Sequence, residues 1–301
     1  MGRNVLVTGA GGLVGTHVTR ALSEKGHSVT ALYRKLDDGP ASQDWHALEG
    51  DLLKDSTVRM LDSIELDSII HCAAVLPREF YGHEAARAAQ LNFLMDRRMI
   101  KLCQRKNCHL LYMSGTSVYG LGTFSNLTED ASISPIGPYA AAKAESERKM
   151  LSELPDQSTI FRVSAPYGAG QRTRTVLWVF VERALANLDL TFDGTGSRQQ
   201  DFTAASDVGN AVVCALSGKS ANGIFNIAGG NPISTRELAE LVLRVIPGTS
   251  SKVVASGRSD PQENFRASFD ISKAERTLGW RPLVPLEDGI RAIAECQNKP
   301  E

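Results

Sequence analysis

No stretch of the sequence approaches the ~20 consecutive apolar residues that a membrane-spanning helix needs, so no membrane association is expected. Charge of either sign is not in excess. Lys and Arg total 33 against 34 Asp and Glu, a net charge of −1, which gives nucleic acid or an anionic membrane no bulk attraction. Cysteine is sparse and unpaired by pattern: five residues, at 72, 103, 108, 214 and 296, with no Cys-x-x-Cys spacing. That excludes a disulfide framework and a zinc site of the usual kind, and no metal is expected. Cys72 and Cys214 lie in apolar segments, where cysteine acts as a small hydrophobe. The chain opens almost directly into an apolar strand, leaving no room for a secretory signal, so a reduced, cytoplasmic setting is expected.

What is present suits one α/β domain with a smaller attached lobe. The 301 residues are 42% hydrophobic and 22% charged, ordinary for a globular chain. Strand-like and helical patterns alternate from residue 4 to about 165, with Val29–Tyr33, Ile69–Ala74, His109–Met113 and Thr159–Val163 as strands. Such alternation builds a doubly wound parallel sheet with ligands at the carboxyl ends of its strands. The polar, turn-rich Gly120–Pro138 segment is expected to be a surface loop.

Asn4–Val7 is a short apolar run followed by Thr8-Gly-Ala-Gly-Gly-Leu-Val-Gly15 and then a helical pattern. Glycines at 9, 12 and 15 let the chain turn tightly, approach a pyrophosphate, and pack helix on strand. The helix N-terminus offers free N–H groups and a positive dipole end to phosphates. The spacing departs from the commonest dinucleotide fingerprint, Gly-x-Gly-x-x-Gly; the strand before and the helix after carry the inference.

Tyr139 and Lys143 stand four residues apart at the start of an Ala-rich segment that reads as helix, Ala140–Leu154. That spacing puts phenol and ammonium on one face. Alone, a tyrosine hydroxyl titrates near pH ~10 and carries protons poorly at neutrality. A cation beside it favours the phenolate and suits the pair to moving a hydroxyl proton. Such pairs are commonplace on helices; the position downstream of a nucleotide loop sets this one apart.

Together these residues resemble the extended short-chain dehydrogenase/reductase family, the NAD(P)-dependent sugar epimerase/dehydratase group. The resemblance covers nearly the whole chain, through Gly50-Asp-Leu52, Ile69–Ala74, Asn92, Ser117-Val-Tyr-Gly120, Arg162 to Tyr167-Gly168, Asp201-Phe202, Asp207-Val208, Phe225–Gly229 and Asp270 to Leu278-Gly-Trp280. It implies a Rossmann-type domain over 1–167 and a smaller, interleaved substrate lobe over 168–301, with about 203–229 returning to the first domain. It further implies Tyr139 as proton carrier, with Lys143 also reaching the nicotinamide ribose. The dinucleotide would lie on Gly9, Gly12, Leu13, Val14, Gly15, Asp51, Leu52, Ala73, Ala74 and Asn92.

Departures from the family pattern narrow the expectation. Where NAD-binding members carry an acidic residue at the end of the second strand, this chain has Tyr33, then Arg34 and Lys35. Loss of the carboxylate and gain of Arg34 favour NADP(H) over NAD(H), unless both cations are simply solvated. The family's catalytic Ser or Thr falls on Gly115; Thr116, one residue later, is the expected replacement, with Ser114, Ser117 or a water as alternatives. The Asp-Glu pair of the dehydratases is replaced by Ser117 and Val118, which disfavours dehydration. Epimerisation through a transient ketone, or net keto-reduction, remains.

On the substrate side, Ala165 replaces a frequent Asn and Gln200 a pyrophosphate-gripping Arg, while Arg258 matches a second phosphate-binding Arg or is a surface cation. Arg172, Arg174 or Arg198 could supply the missing charge. A nucleotide-activated sugar is the expected substrate, with Ser114, Arg172 and Arg258 among its contacts. A reductase of a smaller carbonyl compound and a non-catalytic dinucleotide-sensing protein are the alternatives. Glu84–Arg105 and Tyr139–Leu154 carry apolar residues, namely Ala88, Leu91, Leu94, Met95, Met150 and Leu151, beyond what one sheet face needs. The resemblance implies a homodimer in which this helix pair meets its copy in a four-helix contact, unless these residues only cover the sheet.

Overall fold

The computed structural model describes residues 2–36, 44–79, 81–217 and 221–298. Its centre is a parallel sheet of seven strands: β1 (Asn4–Thr8), β2 (Ser28–Tyr33), β3 (His46–Glu49), β4 (Ser68–His71), β5 (His109–Gly115), β7 (Ser158–Val163) and β12 (Gly223–Ile227). Their spatial order is β12-β7-β5-β4-β1-β2-β3. The strand order therefore reverses between β1 and β4, and the crevice at their carboxyl ends is where such sheets bind ligands.

Side chains alternate across each strand, so one run of apolar residues serves two cores. Val5 and Val7 face a cluster with Val18 and Leu22 of α1 (Leu13–Glu24) and Val208 and Val212 of α6 (Ala205–Leu216). Leu6, between them, faces the opposite cluster. That cluster takes Leu61 of α2 (Asp55–Asp62), Met95 and Met99 of α3 (Gly82–Lys106), and Met150 of α4 (Gly137–Glu153). A third core, outside the sheet, gathers Phe180 of α5 (Val176–Leu185), Val242 of α7 (Thr235–Val245) and Ile293 of α9 (Leu286–Gln297) around Tyr167. Two late sequence motifs meet where Trp280 Nε1 donates to the Asp207 carbonyl (2.9 Å) and Asp207 Oδ2 accepts from Val284 N (3.0 Å).

The Gly120–Pro138 segment departs from the expected plain loop. Within it β6 (Thr123–Leu127) pairs in parallel with β15 (Arg266–Phe269), a partner some 140 residues away. Half-exposed polar residues give no period-2 signal there, and a distant partner leaves no local trace. Among the described residues no helix is long and apolar enough to cross a membrane, no group of His, Cys, Asp and Glu is arranged to hold a metal, and the five cysteines are free.

One buried histidine makes the fold acid-sensitive. His109 Nε2 lies 2.8 Å from Thr159 Oγ1, whose own hydrogen goes to the Ala221 carbonyl, so the ring donates as a neutral imidazole. Burial, with Arg3 nearby, lowers its pKa to about 4. The unfolded chain, with an ordinary histidine, takes up the proton first. The contribution is therefore complete above pH ~6.5 and disappears as pH falls toward 4, costing about 2 kcal/mol by pH 5. In thermal unfolding at pH 7 and pH 5, His109→Gln should narrow the difference between the two by about that amount.

Candidate active site

The glycine-rich turn follows β1 at the reversal point. Gly9 has φ of 68°, and a Cβ there would sit 2.7 Å from the Ala73 backbone beyond β4. Neither the left-handed backbone nor the neighbouring chain tolerates a side chain. A Cβ on Gly15 would meet the Gly9 carbonyl at 2.1 Å, so the first turn of α1 rests directly on the loop. Gly12 is the N-cap of α1, with no side-chain cap. The first-turn N–H groups of Leu13, Val14 and Gly15 therefore have no side chain of their own helix to satisfy them.

A cleft of about 600 Å³ opens beside this turn. Gly9, Gly12, Arg34, Asp51, Leu52, Ala73 and Ala74, the residues expected at the dinucleotide, line it, and so does Arg172, expected at the substrate. Asp51 is fixed by Leu53 N, which donates to its Oδ1 at 2.9 Å. Tyr33, in the place of the family's acidic residue, turns away: it is 2% exposed, and its hydroxyl accepts from Trp45 Nε1 at 3.1 Å. Arg34, exposed, stands on the cleft wall instead. Asn92 lies behind the wall, with its amide spent on the Val75 backbone at 2.7 and 2.9 Å; it shapes the cleft through Val75.

Arg87, Leu91 and Met95 also line the cleft and carry no motif. Their spacing of four along α3 puts them on one face, a signal the sequence does contain. Cys72 lines it too, and burial pushes its thiol up to about 12, which leaves it protonated and inert.

Lys143 is 3% exposed; its Nζ donates to the Met113 carbonyl at 2.8 Å, sits 4.3 Å above the Tyr112 ring and 6.0 Å from the Tyr139 ring centroid. Tyr139, half-buried, is a turn earlier on the same helix face. Thr116 begins a 3-10 turn, Thr116–Tyr119, directly after β5 and is half-buried. Ser114 points elsewhere: it is buried and donates to Glu147, which also pairs with Arg162 at 2.7 Å. A Cβ on Gly115 would make only ordinary contacts, 3.6 Å to Ser117 Oγ, so packing does not demand a glycine there.

The arginines of the C-terminal region are largely engaged. Arg258 pairs with Asp193 at 3.0 Å on the surface, Arg198 Nη1 donates to Gln262 at 3.1 Å, and Arg174 pairs with Glu182 at 2.5 Å. Ala165 has φ of 24°, a left-handed conformation that asparagine adopts more readily than alanine.

The site fits a dinucleotide: a glycine turn that excludes side chains, an uncapped helix N-terminus, a cleft of adequate size, and Asp51 held on its wall. Comparison with known proteins agrees. Residues 5–228 match the NAD dependent epimerase/dehydratase family. UDP-glucuronic acid decarboxylase 1 from Danio rerio is 28% identical over 301 residues, covering 96% of this chain and 71% of that protein. A putative UDP-glucose 4-epimerase from Methanocaldococcus jannaschii is 27% identical, with 96% of each covered. A UDP-glucuronic acid 4-epimerase from Bacillus cereus, solved with UDP-glucuronic acid and NAD, shares the fold at a TM-score of 0.86, 24% identity, and coverage of 97% and 98%. The protein thus belongs to the NAD dependent epimerase/dehydratase family of extended short-chain dehydrogenase/reductase enzymes.

Proposed function

We propose that this chain is an NADP(H)-dependent epimerase or keto-reductase of a nucleotide-activated sugar, with Tyr139 as acid/base. The observation that carries the reading is the buried Lys143 ammonium, held between the Met113 carbonyl and the Tyr112 ring one turn beyond Tyr139. When bound, the nicotinamide supplies or accepts the hydride. Tyr139 takes the hydroxyl proton as an alcohol becomes a ketone, and returns it in the reverse direction. Lys143 orients the nicotinamide ribose, and Thr116 donates to the reacting oxygen in place of the usual residue at 115. Arg34 binds the adenosine 2′-phosphate on the wall from which Tyr33 has turned away.

Residues 168–301, apart from about 203–229, form the substrate lobe in this reading, with Arg172 at the cleft and Arg258 released from Asp193 to a phosphate. Relatives named for UDP-sugars support a nucleotide sugar. The ion-paired arginines and Ala165 favour the second reading, a smaller carbonyl substrate. Thermal unfolding with UDP, dTDP, GDP and CDP in the presence of dinucleotide separates the two, because a bound ligand raises the midpoint by mass action. A rise with one nucleotide supports the sugar reading; no rise with any supports the smaller substrate.

The enzyme is proposed to be cytoplasmic and homodimeric through α3 and α4. Ala88, Met95 and Met150 are only 2%, 7% and 0% exposed, the first two on the cleft wall and Met150 in the core, so none of them is left for a partner. Leu94 and Leu151, 42% and 39% exposed, remain available to a partner. Light scattering at micromolar concentration should return twice the monomer mass; a monomer refutes this assembly.

A further inference from the structure

A buried carboxylate stands behind the Tyr139–Lys143 pair, on a helix position where only an apolar residue is needed to cover the sheet. Asp96, on α3 between the core residues Met95 and Met99, is 1% exposed. Its Oδ2 accepts from the Tyr112 hydroxyl and from Ser146 Oγ, each at 2.7 Å. Its Oδ1 lies 2.9 Å from His71 Nε2. Burial alone would raise its pKa, but His71, the Lys143 charge and Ser146 together hold it below the ordinary carboxylate value. A carboxylate only accepts, so His71 Nε2 carries the proton. His71 Nδ1 then meets Thr8 Oγ1 at 2.6 Å, and Thr8 is the last residue before the glycine turn.

Thr8, His71, Asp96, Tyr112 and Ser146 are each at most 1% exposed. They link β1, β4, α3, β5 and α4 at one carboxylate. Tyr112 is the ring under the Lys143 ammonium, and Ser146 is nearly a turn beyond Lys143 on the same helix. Leaving any one of these groups unpaired in the core would be costly, so the network locks as a unit.

We propose that Asp96 is a positioning residue for the dinucleotide site: through the Tyr112 hydroxyl and Ser146 it fixes the place of the Lys143 ammonium, and through His71 and Thr8 it ties that place to the glycine turn. The proposal rests on the reading that Lys143 serves the nicotinamide half of the dinucleotide. Asp96 touches neither cofactor nor substrate; it acts through Tyr112 and Lys143.

The test is calorimetric titration of the full chain with NADPH and NADH, and with adenosine 2′,5′-bisphosphate and AMP as probes of the adenosine half alone. Two variants are used. Asp96→Asn keeps the shape and removes the charge; Tyr112→Phe keeps the ring under the ammonium and removes only the tie to Asp96, and it carries the test if Asp96→Asn does not fold. Each should weaken both dinucleotides about tenfold, the scale of one misplaced hydrogen bond to a charged group. Binding of the two adenosine probes should stay within about twofold, since Asp51 and Arg34 are untouched. The double variant should be no weaker than the worse single one, as for groups that act as a unit.

General loosening of the fold would weaken the adenosine probes in step, and that result overturns the proposal. Unchanged dinucleotide binding in a folded variant overturns it too. Lys143→Met separates the two levels of argument. If it weakens the dinucleotides while Asp96→Asn and Tyr112→Phe do not, the positioning claim alone fails; if it leaves them unchanged, the reading of Lys143 fails first.

Discussion

Replacing Tyr139 by Phe should reduce turnover by about 10²–10⁴-fold while leaving dinucleotide affinity nearly unchanged. The ring stays, so packing at the N-terminal turn of α4 is kept; only the oxygen that carries the proton is lost. Lys143, anchored by the Met113 carbonyl and the Tyr112 ring rather than by Tyr139, keeps its place. Lys143→Met should harm both turnover and binding, because it removes a buried cation that serves both. The measurement is steady-state turnover alongside calorimetric dinucleotide binding. Near-normal turnover in the Phe variant would remove Tyr139 from the mechanism.

Replacing Arg34 by Ala should weaken NADPH binding by roughly 1.5–3 kcal/mol, the scale of a hydrogen bond to a charged group. NADH, without the 2′-phosphate, should bind almost as before. The argument is local: Arg34 lines the cleft, while Tyr33, in the acidic residue's place, is buried against Trp45 and offers the ribose no acceptor. Equal losses for both dinucleotides, or a wild-type preference for NADH, would show that Arg34 is only a solvated cation.

Much of this was legible because the features are local. Val5–Val7, the glycines and the Tyr139/Lys143 spacing each declare themselves within a few residues, and the parallel sheet follows from alternation along the chain. What escaped depends on distance. The β6–β15 pairing joins segments with no common period, and nothing near Thr123 announces it. The resemblance points Asn92 at the cofactor, while its amide bonds the Val75 backbone. Side-chain direction also has to be seen: Ser114 and Thr116 are neighbours on the chain, but Ser114 turns inward to Glu147. Asp96 carries no sequence signal, because its partners, His71, Tyr112 and Ser146, come from three other elements.

The most direct test of the account is titration of the wild-type chain with NADPH and with NADH. The glycine turn, the uncapped α1 N-terminus, Asp51 and Arg34 together predict saturable binding of one dinucleotide per chain, with NADPH the tighter. Failure of both to bind would contradict the account at its base, since every role given to Tyr139 and Lys143 depends on a dinucleotide in that cleft.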